Sequence, residues 1–199
     1  MKKMIFSLWM MLVMGASTAH AGIFDLMYVK AQVGLPVVTD GSIDGTDIDT
    51  SFDPPYPITL GFGVYMSPLT SLALEVNYET AELTDLPPSM LGGSDDMKQF
   101  GALLNFYFHF PALMIVEPFA GVGLGYSIVT IDNNDYDGKG FIWQISAGVD
   151  INLKEFMALT AEARLLEPIS IDIKDGGGVD VGELDYTHAR LMVGLKFKL

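Results

Sequence analysis

The chain has 199 residues, with 25 Asp and Glu against 11 Lys and Arg, a formal charge of −14 and no cysteine. That length suits one domain; the acid excess argues against a nucleic-acid partner, and the missing cysteine excludes disulfides and lipoprotein anchoring. Mean hydropathy is nevertheless positive at +0.34, and a chain is both acidic and apolar only if the two properties occupy different places.

The first element is an export signal. Lys2 and Lys3 form a basic start, Met4 to Gly15 is an apolar run of about a dozen residues, and Ala19-His20-Ala21 is a small-x-small cleavage site. Residues 1–21 are therefore expected to be a signal peptide and 22–199 the barrel domain. The run is shorter than the roughly 20 residues a spanning helix needs, which argues against a retained anchor.

Eight alternating segments follow. In the first, Met27, Val29, Ala31, Val33 and Leu35 oppose Tyr28, Lys30, Gln32 and Gly34. Successive residues of a strand point to opposite sides, so this pattern predicts a two-faced strand. The second sets Ile58, Leu60, Phe62, Val64 and Met66 against Thr59, Gly61, Gly63 and Tyr65; the third sets Leu72, Leu74, Val76 and Tyr78 against Ala73, Glu75, Asn77 and Glu79. In the fourth, Phe100, Ala102, Leu104, Phe106, Phe108 and Phe110 oppose Gln99, Gly101, Leu103, Asn105, Tyr107 and His109.

The fifth runs from Pro118 to Ile128, with Ala120, Val122, Leu124 and Tyr126 on one face and Phe119, Gly121, Gly123 and Gly125 on the other. The sixth opposes Phe141, Trp143, Ile145, Ala147 and Val149 to Ile142, Gln144, Ser146, Gly148 and Asp150. The seventh opposes Met157, Leu159, Ala161 and Ala163 to Ala158, Thr160, Glu162 and Arg164, and the eighth closes the chain with Ala189, Leu191, Val193, Leu195 and Phe197 against His188, Arg190, Met192, Gly194 and Lys196.

No apolar face carries a charge. Segments about ten residues long with an uncharged stripe are what lipid demands of a strand. Connections alternate between long polar ones (36–57, 80–97, 129–140, 167–186) and short ones (67–70, 111–116, 154–155), which hold the acids outside the segments. Long extracellular loops, short periplasmic turns and an even strand count are the rules of bacterial barrels. The expected fold is all-β, an eight-stranded antiparallel transmembrane up-and-down barrel in the cell outer membrane of a Gram-negative envelope. A soluble lipocalin-like barrel is the competing reading, but its outer face would be rich in glycine at 61, 63, 101, 121, 123, 125, 148 and 194, which suits a cramped interior better than a solubilising surface. A helical membrane protein is opposed by Asn105, His109, Pro111, Glu117 and Pro118 inside the apolar stretch 100–129.

The runs LALEVNYE (72–79), VEPFAGVGLGYS (116–127), LTAEARL (159–165) and ARLMVGLKFKL (189–199) resemble the small eight-stranded outer-membrane proteins of the OmpA transmembrane-domain, OmpX and opacity-protein type. The resemblance covers essentially the whole mature chain. It implies membrane lipid, lipopolysaccharide and the barrel-insertion machinery as partners, together with an extracellular partner of unknown identity. Members usually end in an aromatic residue, whereas this chain ends in Leu199 with Phe197 two positions earlier.

Lys30, Glu75, Glu162, Arg164 and Arg190 lie on the glycine-rich face, all near mid-barrel by their distance from the short turns. An unpaired charge there is costly, so the five are expected to form an internal ion-pair cluster that packs the lumen, with a gated conduction path as the alternative. His109 and His188 fall on the inward face at opposite ends, and the outward face holds no Ser or His beside acyl chains, so no enzymatic activity is expected. Tyr78, Phe108, Tyr126 and Trp143 read as interfacial aromatics. The long connections are acidic. In the third, Asn133, Asp135 and Asp137 place oxygens at alternate positions, as a calcium loop does, but Asn opens the run, Gln144 stands where the closing Glu belongs and strands flank it, so an EF-hand is rejected and only loose divalent-ion binding is left. No cofactor or structural metal is expected. The expected role is envelope integrity or surface interaction; the alternative is an OmpW-like conduit for a small hydrophobic solute.

Overall fold

The computed structural model describes residues 26–43, 46–47, 56–83, 95–131, 136–174 and 180–199. The expected signal peptide lies outside the described residues, as do Asn133 and Asp135.

The strands are β1 (Met27–Ile43), β2 (Thr46–Asp47), β3 (Ile58–Ser67), β4 (Thr70–Leu83), β5 (Asp95–His109), β6 (Val116–Ile131), β7 (Tyr136–Lys154), β8 (Met157–Lys174) and β9 (Asp180–Lys198). Each pairs antiparallel with the next, except that the two-residue β2 only extends the far end of β1. Pairing of β1 with β9 from Tyr28↔Lys198 to Ile43↔Leu184 closes eight strands into a barrel. Closure removes the edges whose unpaired N–H and C=O groups lipid could not satisfy.

The alternation seen in sequence is the inside–outside alternation of the wall. Tyr28, Lys30 and Gln32 point inward and are at most 5% exposed, whereas Val33 and Leu35 on the other face are more than half exposed. Leu103, Asn105 and Tyr107 are likewise at most 2% exposed, against 51% for Leu104 and 41% for Phe106. Such outward apolar exposure is unfavourable in water and favourable in hydrocarbon. Outward aromatics pair near both ends: Phe108 with Phe110 at a ring separation of 5.1 Å, and Tyr126 with Phe141 at 5.4 Å.

Two glycines show why the inner face is so poor in side chains. A Cβ at Gly63 would run into the Tyr28 ring, and one at Gly121 into the Tyr107 ring and the Ser146 hydroxyl. The inward tyrosines fill the space that these glycines leave.

One end has tight turns. Pro68-Leu69 joins β3 to β4, where the Ser67 and Thr70 hydroxyls hydrogen-bond at 2.8 Å, and Glu155-Phe156 joins β7 to β8. Between β5 and β6 the backbones of Leu113 and Val116 exchange hydrogen bonds around Met114, which has φ of 62° in the left-handed region that side chains rarely adopt.

At the other end the segment bounds read from sequence are corrected. Residues 36–43, 80–83, 95–98, 129–131, 136–140, 167–174 and 180–187 belong to strands, so the polar connections are much shorter than expected. Ladder hydrogen bonds join backbones and need no apolar stripe; once a strand leaves the lipid its period-2 signal disappears while the pairing continues. Asp137 accordingly sits in β7, opposite Thr130 and Lys174.

Among the described strand pairings, the longest interruption lies between β8 and β9. Pairing of β8 with β9 stops after Leu166↔His188 and resumes at Asp172↔Glu183, although β9 stays paired with β1 and β8 with β7 alongside it. Pro168 lies in this gap and has no N–H to donate, and Ile169 is an extra residue skipped by the β7 register.

Candidate functional site

Polar residues inside the barrel form three layers. The middle one unites four of the five charged candidates. Lys30 on β1 places its Nζ 2.6 Å from Glu75 Oε1 and 3.2 Å from Glu162 Oε2. Arg164 on β8 reaches Glu75 Oε2 at 2.9 Å through one guanidinium nitrogen and Glu162 Oε2 at 2.8 Å through the other. Two carboxylates and two cations balance, and hydrogen bonds complete the layer: Gln32 donates to Glu162 at 3.0 Å and accepts from Arg164 at 2.6 Å, while Tyr107 donates to Glu75 at 2.8 Å and accepts from Lys30 at 3.1 Å. Burying charges is tolerable when each is paired and hydrogen-bonded in this way. None of the four is more than 5% exposed, so water has almost no access to the layer.

Arg190 does not join them. It is the register partner of Arg164 on the neighbouring strand, where like charges repel, and it turns across the lumen to Glu79 instead. Its guanidinium also lies 3.0 Å from His188 Nδ1. Glu79 is not among the charges expected at mid-barrel, although it stands four residues beyond Glu75 and so shares its inward face. Leu103, Ile142, Leu166 and Ile171 form a buried apolar cluster, with Leu166 the register partner of His188 and Leu103 that of Glu75.

The third layer lies near the tight-turn end. Lys196 Nζ is 2.8 Å from Asp150 Oδ2 and sits over the Tyr28 and Tyr65 rings, 4.3 and 5.0 Å from their centroids. Nearby, Ser71 Oγ is 2.9 Å from His109 Nε2, and His109 Nδ1 is 2.9 Å from Glu117 Oε1. Ser–His–Glu is the order of an acyl-transfer relay, but such a relay needs a nucleophile that substrate can reach. Ser71 is fully buried and also hydrogen-bonds Tyr28 at 3.2 Å, so the chain positions side chains between β4, β5 and β6. Sequence parity placed His109, Asp150 and Lys196 on the inner face; their mutual contacts depend on the stagger between strands, which parity does not encode.

A closed barrel of eight antiparallel strands with an apolar outer belt and a polar, side-chain-filled interior defines an outer-membrane β-barrel protein. The model of the outer membrane protein β-barrel domain matches residues 6–197, and the chain belongs to that family. Its fold is similar to Neisserial surface protein A (15% identity, 87% of this chain and 97% of the other, TM-score 0.60) and to AlkL in lipid bilayers (17%, 92% and 95%, 0.59). OprG from Pseudomonas aeruginosa is similar as well (14%, 87% and 95%, 0.56). No curated protein matches the sequence. The place of such a barrel is the outer membrane, among its lipids.

Proposed function

We propose that this protein is a closed, non-enzymatic barrel that acts in envelope integrity or surface interaction, with its acidic long-connection end outside the cell and its tight turns in the periplasm. The observation that supports the reading is the middle layer: Lys30, Glu75, Glu162 and Arg164 are paired across the lumen and almost wholly buried. Lipopolysaccharide and an extracellular ligand are the partners such an outer end would meet, and the barrel-insertion machinery the one it would meet on the way. The test is a deletion strain: it should become more sensitive to bile salts and bulky antibiotics or lose binding to host or neighbouring-cell surfaces. Unchanged behaviour in both assays would count against the role.

A second reading has one observation in its favour. The interrupted β8–β9 ladder is flanked by Leu166 and runs past Ile171, two members of the apolar cluster with Leu103 and Ile142. A small hydrophobic solute could enter there and leave sideways into lipid without crossing the charges. Uptake of an apolar fluorescent probe by vesicles carrying the barrel, abolished by Leu166→Arg, would establish this conduit; uptake equal to empty vesicles would remove it.

A further inference from the structure

We propose that the periplasmic end of the lumen holds a divalent transition-metal site built from His109, Glu117 and Asp150. These residues come from the last position of β5, the start of β6 and the lower part of β7, and one ligand atom of each lies within 4.8 Å of the others. A tetrahedral ion with bonds of about 2.1 Å has ligand–ligand edges of roughly 3.4 Å. The His109–Glu117 edge is 2.9 Å, so small side-chain rotations bring the triangle to that size.

Three features beyond proximity point to a ligand. Asp150 is 2% exposed; its Oδ2 is held by Lys196, while Oδ1 has no hydrogen-bond partner among the described residues. Thr160 Oγ1 is likewise buried without a partner, and His109, Asp150 and Thr160 line one cavity of about 10 Å³, the space of a single water. The remaining nitrogen of His109 is tied to Ser71, the outer-shell bond that fixes the ring of a metal-binding histidine. The ion would take His109 Nδ1, Glu117 Oε1 and Asp150 Oδ1, with a water in the cavity as fourth ligand, hydrogen-bonded to Thr160.

Chemistry narrows the ion. One imidazole and two carboxylates suit Zn²⁺, Mn²⁺ or Fe²⁺; Ca²⁺ needs six to eight oxygens and Cu⁺ prefers sulfur. Lys196 pairs with Asp150 through Oδ2 and leaves Oδ1 to the ion, while the hydrogen bond with His109 and the charges of Lys196 and Lys198 hold Glu117 ionised as a ligand must be. Glu117 is the most accessible of the three, with 17% of its side chain exposed beside the 111–115 turn, so the ion reaches the site from the periplasm. Bound there, it joins the ends of three consecutive strands.

The test uses the full barrel refolded in phospholipid vesicles, stripped with EDTA and titrated with CoCl₂ as a coloured probe. One Co²⁺ per barrel should bind with intense visible absorption. Glu117→Gln and His109→Gln should each lose roughly 100-fold in affinity, whereas Asp47→Asn, in the acidic outer end, should bind as wild type. Should His109→Gln fail to fold, the rim variant Glu117→Gln decides alone. Wild-type barrel without saturable absorption, or Glu117→Gln binding with unchanged affinity, would overturn the site.

Discussion

Glu75 and Glu162 stand on opposite walls of the barrel and share the same two cations, Lys30 and Arg164. β4 and β8 are four strands apart in either direction, so this four-membered bridge is a strut across the full lumen. Removing one carboxylate leaves a buried cation without its partner, which typically costs about 3–5 kcal/mol. Glu162→Gln should therefore lower the urea midpoint of the vesicle-embedded barrel markedly. Glu155→Gln, at an exposed turn, should leave it unchanged. Equal midpoints for all three proteins would remove the strut.

Arg164 and Arg190 are neighbours with separate partners. A double-mutant cycle on Glu79 and Arg190 should give a coupling of about 0.5–3 kcal/mol, as for residues in one ion pair, and a cycle on Glu79 and Arg164 a clearly smaller one. The reverse order would mean that Arg190 belongs to the middle layer.

The two faces of β6 should respond to substitution by different mechanisms. Leu124 faces outward and is 65% exposed to what is hydrocarbon in the membrane; Leu124→Arg should cost ~2–4 kcal/mol if it lies near the midplane. At inward Gly123 an added Cβ meets Asn105, so Gly123→Val should cost about 1–3 kcal/mol through overpacking. The discriminating measurement is lipid thickness: thinner bilayers should relieve the arginine penalty and leave the valine penalty untouched.

Orientation is checked by labelling. A cysteine at Asp47 or Gly177 should react with a membrane-impermeant maleimide on intact cells, and one at Thr70 only after the outer membrane is opened. Labelling of Thr70 on intact cells would invert the barrel.

Much of this fold can be read from residue parity, because lipid outside and a narrow lumen inside impose opposite chemistries on alternate positions. Lys30, Glu75, Glu162 and Arg164 are inward by parity alone, and their similar distance from the turns predicts their meeting. Two things escape that reading. Strand length beyond the membrane does, since Val38 to Ile43 pair with β9 by backbone hydrogen bonds that no side-chain pattern reports. Cross-lumen partnership does too: Arg190 chooses Glu79, and His109 comes beside Glu117 and Asp150, through the stagger of strands and the directions of long side chains.

Closure of the barrel at mid-height by paired charges is decided by planar-bilayer conductance of the purified, refolded protein. Wild-type barrel should insert without steady ion-conducting steps, because Lys30, Glu75, Glu162 and Arg164 fill the cross-section and hold one another there. Resolved, long-lived open steps from the wild-type protein would contradict it.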